Sequence, residues 1–317
     1  MENGQAESWP SLALPAWRDT MLTFQLWTQI VGKVRLALTP WLNHGWQVPL
    51  YVTARGLGTS PVYAGEHIFE VEFDLVGHNI LVRTPDTDEF SRALTPMTVA
   101  GFYASFMEML AEVGIHVDIH PVPIEIEDPI PFHEDHLHTS YDAATIHAYW
   151  RVLVQCDRLF KHFRTGFLGK ASPVHYFWGG PDLAVSRFSG RRAPPHPGGI
   201  PGLSDAITRE AYSHEVSSAG FWPGNDQFPH PAFYSYAYPT LKAFDRAAIE
   251  PAAAQWSAEL GEWLLPYDAV RTSADPDAAV LRFLQSTYRA AADLAGWEPG
   301  LECDLGVARS PRRVEPL

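Results

Sequence analysis

The chain has 317 residues, a formal net charge of -14, and 46% hydrophobic against 19% charged residues, the composition of a folded globular protein rather than a disordered one. At this length roughly three-quarters of the unfolded surface can be buried, in one large domain or in two closely packed halves. The acidic balance works against nucleic acid and anionic lipid as partners, because the short basic tail Arg309 to Arg313 is no extended stripe.

Neither an apolar run of about 18 residues nor a basic segment leading into an apolar one occurs, so neither membrane insertion nor secretion by that route is expected. Cys156 and Cys303 give no disulfide framework, and a reducing cytoplasm is the expected compartment.

Trp17, Met21, Phe24, Trp27, Val31, Val34 and Leu38 recur at three- and four-residue steps and predict a helix. On that helix Gln25, Gln29 and Lys33 fall at four-residue steps, and a row of this kind reads as a wet face. Alternation over Val48 to Ala54 and Phe69 to Leu75, then a turn at Gly77 to Asn79 into Ile80 to Val82, predicts three antiparallel strands. Thr95 followed by Pro96 predicts the start of a second helix that ends at Gly114. Val117 to Ile126 reads as a further strand, and Asp128 to Pro131 as a connector.

The order then begins again. A long helix is predicted from Asp142 to Phe167, followed by strands at Val174 to Trp178, Leu183 to Phe188, Ile207 to Val216 and Phe233 to Tyr238, and a last helix from Val280 to Leu294 that stops at Gly296. Arg191 to Gly202 and Gly220 to Pro231 read as loops. The expected class is α+β, mainly antiparallel sheet with flanking helices. Two readings of its organisation stay open: duplicated halves, 1–130 and 131–317, with the candidate site in the second, or one compact domain.

Nucleotide signatures are absent. No GxGxxG follows a strand, and the stretch around Gly166 to Lys170 lacks the first glycine and the final Ser or Thr of a P-loop, so no nucleotide cofactor is expected. No GxSxG or HExxH occurs. What remains is histidine-rich: His133, His136 and His138, then His175, then His214, with Asp182 and Glu215 near in sequence. Imidazoles with a carboxylate suit Zn or Fe; the bland alternative is single histidines satisfied by neighbouring hydrogen bonds. A metal-free alternative uses His214 as base, oriented by Glu215 or Asp182, with Tyr212, Tyr234 or Tyr236 as donor. Tyr234, Tyr236 and Tyr238 alternate and should share one strand face, a possible pocket wall or merely the edge of a core. Arg187 and Lys170 are candidate clamps for an anionic group, or partners of nearby acids.

The strings LWTQIVGKVRLAL, VPLYVTARGL, FLGKASPVHYFWGGPDLAVSRFSGRR, YSHEVSSAGFWPG and FLQSTYRAAADLAGW together resemble an uncharacterised bacterial family, a domain of unknown function, from about Trp9 to Trp297. The resemblance implies a stand-alone bacterial protein and brings no activity with it. It points to Lys170, His175, Asp182, Arg187, Tyr212, His214 and Glu215, which lie in the matching strings. At Gln25, His133 and His136 the chain departs from the family's pattern, which leaves His138, His175 and His214.

Two functions follow as expectations. The first is a small-molecule enzyme, hydrolytic or oxidative, with His214, Glu215, Tyr212 and Asp182 as catalytic groups, and Arg187, Lys170, Tyr234, Tyr236 and Trp178 as substrate contacts; Zn or Fe would sit on His138, His175 and His214. The second is a non-catalytic binding protein for an aromatic or anionic small ligand. Oligomeric state is not encoded in any motif.

Overall fold

The computed structural model describes residues 8–12, 14–85, 89–199, 203–225 and 228–306. The tail Arg309 to Arg313 and parts of the two expected loops, 200–202 and 226–227, lie outside the described residues.

Helix α1 (Leu14–Leu38) leads into strands β1 (Tyr51–Val52), β2 (Gly56–Gly58), β3 (Val62–Ala64), β4 (His67–Asp74), β5 (Asn79–Arg83) and β6 (Phe90–Ala93), and then helix α2 (Val99–Glu112). These strands form an antiparallel sheet in the order β1-β2-β4-β5-β6, with β3 also on β4. Helix α3 (Ala143–Arg164) begins the second pass. It is followed by β7 (His175–Phe177), β8 (Asp182–Arg192), α4 (Asp205–Ala211), β9 (His214–Trp222), β10 (Ala232–Tyr238), β11 (Gln255–Ser257), β12 (Glu262–Pro266), α5 (Tyr267–Arg271) and α6 (Pro276–Ala295). The second sheet is also antiparallel, ordered β11-β12-β10-β9-β8-β7. The α+β class with helices flanking antiparallel sheet is therefore the observed one, and the helix, six-strand sheet, helix order occurs twice.

The sheets meet at their inner edges. Leu50, just before β1, and Tyr176 in β7 exchange both backbone hydrogen bonds, at 2.9 and 2.7 Å. One apolar core runs through both halves. Trp27 of α1 stacks on Phe102 of α2 at 4.8 Å, while Phe160 of α3 and Phe221 of β9 close on Phe233 of β10 in the same contiguous cluster.

Four local expectations are corrected. The row Gln25, Gln29 and Lys33 is buried, not wet, because a length of chain lies against it. That chain is the segment expected as a strand at Val117 to Ile126, which joins no ladder: the Gln29 amide donates to Ile124 O (2.8 Å) and accepts from Ile124 N (2.9 Å), and Lys33 Nζ donates to Val122 O (2.6 Å). Side chains thus satisfy backbone groups that a neighbouring strand would otherwise take. Helix α2 starts at Val99 with Thr98 as its cap rather than at Thr95, since Val99 N and Ala100 N donate to the carbonyls of His138 and Asp135. Finally, Ile207 to Ala211 is helical: Ser204 caps α4 from Ala206 N, and seven residues are too few to display a helical period in sequence. The hairpin of β11 and β12 was not expected.

Candidate functional site

Side-chain alternation gives the second sheet two unlike faces. Leu183, Val185 and Arg187 of β8, with Phe221 and Phe233, are fully buried beneath the helices. The opposite face carries Asp182, Ala184 and Ser186 of β8, Ser218 and Gly220 of β9, Tyr234, Tyr236 and Tyr238 of β10, and Glu262 of β12; the registers Ser186 with Ser218, Tyr236 with Ser218, and Tyr234 with Gly220 align them. This face is largely polar, with Ala184, Ser218, Gly220 and Tyr234 buried and Asp182, Ser186, Tyr236, Tyr238 and Glu262 partly exposed.

Asp182 is its centre. The Tyr234 hydroxyl donates to the Asp182 carboxylate. To reach it the tyrosine ring crosses Gly220, where a Cβ would collide with the phenol, so glycine is the side chain this crossing permits. Burial pushes the Asp182 carboxyl up to about 7, against the lowering effect of the Tyr234 hydrogen bond, and Glu125 raises it further. Glu125 reaches in from the segment that Gln29 latches, its carboxyl over Gly179 and 3.2 Å from where a Cβ on Gly180 would stand. Burial raises Glu125 too. Glu262 is likewise held at about 7, by burial first and the charge of Asp182 second. Asp182 and Glu262 stand on strands separated by β9 and β10, and the charge of Asp182 still raises Glu262.

Tyrosines surround these acids. Tyr212 and Tyr236 share a hydroxyl hydrogen bond of 2.9 Å, Tyr234 stacks on Tyr236 with centroids 6.2 Å apart, and His196 from the proline-rich stretch stacks on Tyr212 at 4.8 Å. Burial raises all three phenols. At pH 7 the face therefore offers carboxyl groups that exist in both protonation states, beside neutral hydroxyl donors.

The expected residues separate accordingly. Asp182, Tyr212, Tyr234 and Tyr236 come together. His214 lies at the start of β9, its Nδ1 3.1 Å from Ser213 Oγ and its ring 5.9 Å from His44. Glu215 points to the other face, bonded to Arg191 at 2.7 Å, and does not orient His214. His138 is fixed by Asp135 (2.7 Å), which also binds the amides of Leu137 and His138; this pair shapes the loop that caps α2. His175 is buried and pushed down to about 3 by loss of solvent, then by Arg164. The three histidines expected as metal ligands are thus on separate elements, and no three His, Cys, Asp or Glu among the described residues form a group that could hold a metal ion. They do not compose a ligand set for Zn or Fe.

Arg187 is no substrate clamp: it is fully buried under the helices, its guanidinium 3.5 Å from the Phe163 ring centroid and 4.3 Å from that of Tyr288, and it donates to Phe163 O at the end of α3. There it answers the negative end of a helix. Trp178 packs over Gly32 of α1 and donates to Val48 O (2.9 Å), a core role. Lys170 remains solvent-facing, on the open face beside Phe188. Glu125, His196 and His44 were not singled out in sequence, since each reaches the sheet from a distant segment, and Glu262 was not because it lies on β12, a strand the sequence did not predict.

Over residues 9–303 the chain matches the family of unknown function DUF5996. The chain belongs to that family. No curated protein and no solved structure matches it. DUF5996 membership accounts for the near-complete span of the resemblance in the sequence and leaves the chemistry to be read from the open face. No helix among the described residues is long and apolar enough to cross a membrane.

Proposed function

We propose that the protein is a cytoplasmic enzyme acting on a small molecule at the polar face of its second sheet, where Asp182 and Glu262 exchange protons with the substrate and Tyr234 donates a hydrogen bond. The observation that carries this reading is that two carboxyls on one face are both held at about 7, where a group serves equally as proton donor and acceptor. The acids and phenols supply proton transfer, which suits hydrolytic or isomerising chemistry. The same carboxylates repel phosphate, so the partner is a small molecule and not a nucleic acid.

A second reading is a binding protein without turnover. The tyrosine wall with His196 stacked on it favours it, and with three acids at the floor the ligand is polar or cationic rather than the anionic one expected from the sequence.

The test is a panel of p-nitrophenyl esters and glycosides and small lactones, assayed between pH 5 and 9 with the wild type, Asp182→Asn and Tyr234→Phe. Turnover reduced about a hundredfold or more by Asp182→Asn supports the enzyme. Stabilisation by panel compounds that Asp182→Asn abolishes, with no turnover, supports binding. Turnover indifferent to both substitutions sinks the assignment of this face.

A further inference from the structure

At the other end of the open face stands a lysine in an unusual setting. Phe188 N donates to Lys170 O (3.0 Å), which sets the two side chains alongside, and Lys170 Nζ lies 5.3 Å from the Phe188 ring centroid and 5.1 Å from that of Trp46. Its nearest polar partner is an imidazole: Nζ is 2.8 Å from His44 Nε2.

The protons of that imidazole are fixed by its surroundings. His44 Nδ1 is 2.8 Å from the carbonyl of Ala211, and a carbonyl only accepts, so Nδ1 carries the hydrogen and Nε2 presents its lone pair to Lys170. His44 is buried, and loss of solvent lowers its affinity for a proton, with Lys170 lowering it further. The backbone is committed to this placement, since His44 adopts φ 61° and its N–H donates to Glu210 Oε2 at 2.6 Å. That φ is uncommon outside glycine, with asparagine, aspartate and histidine the side chains that adopt it most readily. An oriented neutral base thus sits against an amine whose own proton affinity is lowered by loss of solvent, with the charge of Glu210 acting the other way.

We propose that Lys170 is a nucleophilic amine that captures the carbonyl carbon of a small aldehyde or ketone as an imine, with His44 as its proton acceptor. His44 Nε2 takes one proton from the ammonium. The nitrogen lone pair adds to the carbonyl carbon, the carbonyl π electrons move to oxygen, and a nitrogen proton passes to that oxygen to give a carbinolamine. The imidazolium returns its proton to the departing hydroxyl, which leaves as water, and the nitrogen lone pair closes the C=N bond. Ammonium and carbonyl become protonated imine and water, with no oxidant or reductant involved. Trp46 and Phe188 offer an apolar wall for the carbonyl compound's substituent. The inference does not rest on the acid and tyrosine reading.

Four lysines in the whole chain make the test direct: Lys33, Lys161, Lys170 and Lys242. The full-length protein is treated at pH 7 with benzaldehyde and sodium cyanoborohydride, whose hydride reduces any imine to a stable benzylamine, and the rate at each lysine is read by peptide mass spectrometry. Exposed Lys242 is the internal reference. Trapping at Lys170 fivefold or more faster than at Lys242 is expected; a smaller ratio overturns the proposal. In His44→Asn, which tolerates the positive φ but removes the imidazole base, the ratio is expected to fall by more than half, and an unchanged ratio in a folded variant also overturns it. Should that variant not fold, the wild-type ratio alone decides.

Discussion

Asp182 carries a burden that its sequence neighbours do not announce. An ordinary carboxyl titrates near pH 4, whereas this one does so at about 7. Between those values the folded chain keeps a proton that the unfolded chain has released, so the group favours folding below pH 4, and that contribution is lost as pH rises through 7. Asp182→Asn keeps an acceptor for Tyr234 and has no proton to lose. Wild-type stability in urea should therefore fall by roughly 1–3 kcal/mol relative to this variant between pH 5 and pH 8, the lower part of the range reflecting solvent access to a half-buried group. An identical difference at both pH values would show that the carboxyl is not raised. Alternation placed Tyr234, Tyr236 and Tyr238 on one strand face in the sequence, because that periodicity is local; that Asp182 joins them from β8 depends on sheet register, which no local pattern shows. Sequence set His175 in a site when the ring is in fact packed away, because burial depends on what folds over a strand.

At the scale of elements, the polar row of α1 acts as a second spine. A helix whose apolar stripe faces one set of neighbours usually turns its other side to water, but here Gln25 donates to Gly179 O while Gln29 and Lys33 bind the 120–124 segment, all three buried. Gln29→Ala strands the part-buried carbonyl and amide of Ile124, at a cost of about 1–3 kcal/mol. The companion expectation is loss of hydrogen-exchange protection at the Ile124 amide; protection equal to wild type would mean that the segment is held by something else. Glu125, next in the chain, should then lose its hold on the site, so the latch joins stability to chemistry. Helix lengths were readable in the sequence, for α3 down to its Asp142 cap and for α6 to its left-handed Gly296 cap. The 120–124 segment was not, because an extended chain without a ladder shares its residue preferences with a strand. Only the row of α1, read against a partner, tells them apart.

For the whole molecule, the repeated order of helix, sheet and helix suggests two separable halves, yet the contacts cross freely. Gln25 of the first half binds Gly179 of the second, Trp178 of the second donates to Val48 O of the first at 2.9 Å, and one cluster of apolar side chains spans both. Calorimetry should accordingly find a single transition with equal calorimetric and van't Hoff enthalpies; two resolved transitions would contradict the shared core. The repetition was legible because it is written in the order of periodic segments. Their fusion was not, because edge pairing between Leu50 and Tyr176 leaves no mark in either stretch.

That edge pairing also bears on how the protein behaves at high concentration. A sheet normally has two open borders, each offering unpaired amides and carbonyls on which another chain can grow. Here the inner borders meet at Leu50 and Tyr176, and the outer ones are β6, where Arg92 is paired with Glu112 at 2.7 Å, and β3 and β11, each only three residues long. Charge at one border and brevity at the others leave little template for strand addition, so twelve strands are carried with the aggregation hazard of far fewer.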